Sequence, residues 1–174
     1  MGTVLKNLQR VPWARLQAAG ESSARAVPAL LSKVAWGDRA TAKFAVDELM
    51  DLVCELGFVV QEVTAPTVPF LIELAGAPHV ECKAEVLELL QKIFTGRQWS
   101  ATSKAFTTGP VIHLEQQVGW EAAAQEAVAA GRPIFEVLAS SVDPDVAQAA
   151  SELLQSLAEE TQRPTGTDGA GSDR

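Results

Sequence analysis

Three prolines stand at the head of the same downstream pattern. Pro28, Pro69 and Pro133 each lie in a short, largely apolar segment: Val27-Pro28-Ala29-Leu30-Leu31, Val68-Pro69-Phe70-Leu71-Ile72 and Arg132-Pro133-Ile134-Phe135. Seventeen residues after each proline comes a small apolar residue, Ala45, Val86 or Ala150. Nineteen residues after comes an acid, Asp47, Glu88 or Glu152, and twenty-one after comes a leucine, Leu49, Leu90 or Leu154. A pattern that returns in phase is the mark of stacked helical hairpins, each burying its apolar face against the next. Such chains usually act by presenting a surface.

The second helix of each hairpin is the clearer one. The spacing predicts helices over about 38–56, 81–94 and 143–160, each with apolar residues at i, i+3, i+4 and i+7. Asp38 and Asp143 suit the N-cap position, and Pro144 then falls at the first helical position. In the first helices, Ser23 and Thr64 stand five residues before Pro28 and Pro69. As N-caps they would put each proline inside the second turn, where it bends the helix. Gly131 reads as the end of a helix over about 120–130. Residues 1–22 read as an N-terminal capping segment, a helix that includes Trp13 and Leu16 and covers the open end of the first hairpin. Residues 95–118, rich in Thr, Ser, Gly and Gln, read as an irregular insertion, and 164–174 as a disordered tail.

Charge narrows the partners. The chain of 174 residues carries a formal charge of −8, which disfavours nucleic acid and anionic membranes and favours basic proteins. No stretch approaches the roughly 20 apolar residues of a membrane span, and the first residues have no apolar core of signal-peptide length. A cytoplasmic location is expected. Cys54 and Cys82, the only cysteines, read as buried thiols of a reducing compartment.

The residues themselves give little support to catalysis. His79 and Cys82 are three apart, but zinc requires three or four ligands. Thr95-Gly96-Arg97 lacks the rest of a phosphate loop, and no nucleophile elbow is present. The expectation is a non-enzyme without cofactor or metal.

The repeat resembles the HEAT-repeat family, in particular the short HEAT-like proteins of actinobacterial type. The resemblance spans about 23–160. It rests on the Val-Pro-x-Leu-Leu type first helix at 27–31 and 68–72, on the run from Ala123 through Gly131-Arg132-Pro133, and on Asp143-Pro144-Asp145-Val146 leading into Ala149-Ala150. Ala147 stands where the family's second helix usually has arginine. The resemblance implies an all-α, right-handed α-solenoid of about three helical hairpins, working by protein binding. It also implies that the second helices line a concave face.

The three second helices together hold thirteen acids and four bases, so that concave face would be an acidic groove. Asp47, Glu48, Asp51, Glu88 and Glu152 are the candidate partner-binding acids, and the in-phase set Asp47, Glu88 and Glu152 should form one row. Arg97, Trp99 and Phe106, in the insertion, are candidate anchors, because exposed Trp and Arg dominate many interfaces. The expected function is a non-catalytic protein-binding module for a basic partner, in a sharper version an immunity protein neutralising a basic toxin. The alternatives are an adaptor or assembly factor in a larger complex and a HEAT-fold enzyme acting on nucleic acid.

Overall fold

Helices dominate the computed structural model, which describes residues 4–20, 23–105 and 112–163. In chain order they are α1 (Val27–Trp36), α2 (Arg39–Val53), α3 (Thr64–Gly76), α4 (Lys83–Thr95), α5 (Gln98–Ala105), α6 (Ile112–Ala129), α7 (Arg132–Leu138) and α8 (Pro144–Gln162). Two-residue strands β1 (Cys54–Glu55) and β2 (Val59–Val60) pair antiparallel between α2 and α3. The class is all-α.

The second helices form where the apolar spacing places them, and their caps act as the sequence implies. The Asp38 carboxylate accepts from the Thr41 amide at 2.8 Å, and Asp143 accepts from the amides of Asp145 and Val146. Each satisfies amide donors that the first turn leaves orphaned. The 17-residue column is internal: Ala45, Val86 and Ala150 are fully buried. Leu49 and Leu90 are fully buried too, but in the third copy Leu153 takes the core position and Leu154 is half-exposed.

The prolines are not equivalent. Ser23 caps a 3₁₀ turn over Ala24–Ala26 rather than α1 itself, so Pro28 falls in the first turn of α1, where its missing N–H has no partner to lose. Pro133 sits likewise at the start of α7. Only Pro69 lies inside its helix. Thr64 is the first residue of α3 and not its N-cap. Its buried hydroxyl donates to the Val53 carbonyl and accepts from the Gln61 amide.

Three further expectations are corrected. The helix read over 38–56 stops at Val53. Leu56 and Gly57 then take positive φ, at 57° and 80°, turning the chain into the β1–β2 hairpin. Residues 4–20 form not a capping helix but two 3₁₀ turns, Leu8–Arg10 and Trp13–Arg15. They are held to the α3 side. Trp13 packs on Phe70 with ring centroids 6.0 Å apart, the Leu5 amide donates to Glu73, and the Val63 amide donates to the Gln17 carbonyl. Finally, much of 95–118 is helical, as α5 and the first part of α6. The expected helix over 120–130 is the C-terminal part of the longer α6. Residues 106–111 and 164–174, which include part of the expected insertion and the whole expected tail, lie outside the described residues.

Helix α4 is central. It packs against α2, α3, α6 and α8, while α1 packs on α2, α3 on α6, and α7 on α8. Leu87, Leu89, Leu90 and Ile93 of α4 are essentially inaccessible to solvent. The close approach of α4's end to the small hairpin requires Gly96, where a Cβ would stand 2.8 Å from the Phe58 carbonyl oxygen.

Candidate functional site

A groove of about 420 Å³ runs between α2, α4 and α8. Its three walls come from the three second helices, because α4 packs against α2 on one side and α8 on the other. The alternation along each helix does the rest. Positions 45, 86 and 150 go to the core, so positions 47, 88 and 152, two residues further round, point outward. Asp47, Glu88 and Glu152 all line this groove.

Five carboxylates line the groove: Asp47, Glu85, Glu88, Asp145 and Glu152. Three bases line it as well, Arg39, Lys43 and Lys92, and they are unevenly placed. Arg39 and Lys43 belong to the first turns of α2, and Lys92 turns its ammonium to the Met50 sulfur at 3.4 Å. Helix α8 has no base anywhere in its length. The α2 and α4 walls are therefore partly neutralised, whereas Asp145 and Glu152 leave the α8 wall acidic. Among the described residues Glu152 accepts only from Gln148 of its own helix, at 2.9 Å. The floor is apolar, with Val46, Ala84, Leu89 and Ala149.

Glu85 is the most constrained of the acids. One oxygen lies 3.9 Å from the Arg39 guanidinium, and the other is buried without a hydrogen-bond partner. Arg39 is 63% exposed, so water screens the pair and it contributes at most about 1 kcal/mol.

The other candidate acids fall elsewhere. Glu48 and Asp51 project from the opposite flank of α2, into a shallow cleft against Ala26, Leu30 and Lys33 of the first hairpin. They line this cleft and not the groove that holds Asp47, Glu88 and Glu152; position 48 lies about 100° round the helix from position 47 and so meets a different neighbour.

The expected anchors of the insertion are consumed internally. The Arg97 guanidinium pairs with Glu160 of α8 at 2.6 Å. The Trp99 indole N–H donates to the Val60 carbonyl at 2.7 Å. Beneath them Glu121 of α6, 1% exposed, caps the start of α5. It accepts from the Trp99 amide at 2.6 Å, from the Ser100 amide at 3.2 Å and from the Ser100 hydroxyl at 2.5 Å. Arg97 and Trp99, both half-buried, thus help to fix the position of α5. Phe106 lies outside the described residues.

Exposed aromatics occur instead at Trp36, Phe44 and Phe58. The apolar-face reading passes over Trp36 and Phe44 because each is out of phase with the core stripe of its own helix, and over Phe58 because it lies in the turn between β1 and β2. Both cysteines are free and buried. Burial pushes each thiol up to about 11, from the ordinary 9.0, with Glu85 adding to the effect at Cys82. Neither is an activated nucleophile. Among the described residues no group of three or more His, Cys, Asp and Glu is placed to hold a metal ion, and no helix is long and apolar enough to cross a membrane.

No family model, curated protein or solved structure matches the chain.

Proposed function

We propose that the chain is a non-catalytic protein-binding module whose α2–α4–α8 groove receives a basic surface of another protein. One observation carries this reading: acids from three helices, far apart in sequence, converge in a single groove whose α8 wall has no base. Complementary potential speeds encounter and selects partners more than it adds raw affinity. The exposed carboxylates Asp47, Glu88 and Glu152 are suited to that role, and the apolar floor provides area for close contact.

The architecture belongs to the same proposal. The hairpins α1–α2, α3–α4 and α7–α8 are read as a right-handed α-solenoid of HEAT-like units, supported by the order in which α2, α4 and α8 neighbour one another. In a cytoplasmic setting, the role that suits a small acidic binder best is neutralisation of a basic toxin domain, as an immunity protein.

Affinity capture from the native cell, followed by association kinetics on the captured partner, tests this. Asp47→Lys, Glu88→Lys and Glu152→Lys together raise the formal charge by two each from −8 and leave the core untouched. The expected result is a folded variant that associates more slowly and with a weaker salt dependence, because salt already shortens the Debye length from about 10 Å at 0.1 M to about 3 Å at 1 M. Wild-type kinetics in the triple variant at low salt would remove the groove from consideration.

A further inference from the structure

Trp36, the last residue of α1, is 59% exposed, which is far more than an indole of this size normally leaves in water. It is not loose. Its ring stacks on the His79 imidazole with centroids 4.5 Å apart and planes 12° apart. One face of the indole is therefore covered by the imidazole, and most of the remaining residue surface meets solvent. The stack bridges the α1–α2 turn and the α3–α4 turn. The Arg39–Glu85 pair bridges the first turns of α2 and α4, the helices that follow those same two turns. Only Gly37 and Asp38 separate Trp36 from Arg39, and the three steps span at most about 11 Å. The stack thus stands at the end of the groove where α2 and α4 begin.

We infer that the Trp36–His79 stack is the arginine-recognition element of the groove's partner site: a guanidinium of the basic partner lies on the free face of Trp36. This rests on the groove reading and names the chemistry of its occupant. A guanidinium is planar and weakly hydrated, so it stacks on an aromatic face while its N–H groups remain free for carboxylates; an ammonium does this poorly. Imidazole support from below holds the indole in one orientation, which lowers the ordering cost of binding. The carboxylates required by neighbouring basic groups line the groove itself, at Glu88, Asp145 and Glu152, beyond the Arg39–Glu85 pair. An aromatic platform at one end and acids beyond it fit an arginine-bearing basic segment better than a lysine-bearing one.

The test titrates the protein with nona-arginine and nona-lysine peptides of equal charge, reading tryptophan fluorescence and calorimetry at low salt. Wild type should bind nona-arginine more tightly. Trp36→Leu should weaken nona-arginine about 2- to 5-fold, the size of an exposed cation–π contact, and leave nona-lysine almost unchanged. Trp36→Phe should recover part of the loss. Thermal melts check that these exposed substitutions leave the fold intact. Equal nona-arginine affinity in Trp36→Leu and wild type would overturn the inference. If the triple lysine variant of the groove then still loses both peptides, the groove reading stands without the stack. If neither peptide binds wild type, both fall.

Discussion

The groove and the α5–α6 corner use the same kinds of residue for opposite ends. In the corner, Glu121, Arg97 and Trp99 each find partners inside the chain, at 2.6–2.7 Å, and their chemistry is spent on placing α5. In the groove, Asp47, Glu88 and Glu152 are exposed and draw on no base of α8. The difference is one of long-range satisfaction rather than of residue type. A buried polar group must be paired or it costs about 1–3 kcal/mol, so pairing inside the corner marks structure. Exposure without pairing leaves charge available to something else.

The strongest way to probe the contrast is to damage the frame that both regions share. Leu90→Ala, at the buried centre of α4, should cost about 2–5 kcal/mol, seen as a lower denaturation midpoint. A midpoint unchanged from wild type would mean that α4 is not the hub described. In the corner, Glu121→Ala orphans the amides of Trp99 and Ser100. The expected loss is about 1–3 kcal/mol for each donor that water cannot reach, with faster hydrogen exchange confined to α5. Global unfolding without a local α5 signature would contradict the capping role.

A pH titration separates buried from exposed groups in another way. The thiols of Cys54 and Cys82 are raised in the folded state to about 11. Below pH 9 they are neutral in both states and stability is unaffected. Between pH 9 and about 11 only the unfolded chain ionises freely, so stability should fall as pH rises through that window. Serine at both positions should flatten the decline. In native protein at pH 8 neither thiol should react promptly with a disulfide reagent. The smallest stability effect belongs to the groove, where each of the Asp47, Glu88 and Glu152 substitutions to lysine should stay within about 0.5 kcal/mol. A larger loss would show that those acids serve the fold, as Glu121 does.

Much of this was legible from local pattern. Helix phase alone put positions 45, 86 and 150 inside and 47, 88 and 152 outside, because 3.6-residue periodicity needs no tertiary information. What stayed hidden depends on distant partners. Trp99 reads as an anchor until the Val60 carbonyl, presented by a hairpin that no periodicity announces, accepts its N–H. Glu48 and Asp51 read with Asp47 until α2 divides them between two neighbours. Leu154 reads as core until α8 settles on α4 with Leu153 inward. Likewise Pro28 reads as a kink until a capped 3₁₀ turn delays the start of α1.

The contact of α8 with α4 also bears on how the molecule assembles. The α1–α2 and α3–α4 hairpins join elements adjacent in the chain, and their closure is entropically cheap. Helix α8 must return to α4 across everything from Gly96 to Asp143, and long closures slow folding because their entropy is lost before any contact compensates. The N-terminal hairpins should therefore collapse first and α8 dock last. Since α8 supplies the wall free of bases, the charged groove exists only once folding is complete: a partially folded chain would carry the acids of α2 and α4 without the cleft that brings them together with those of α8.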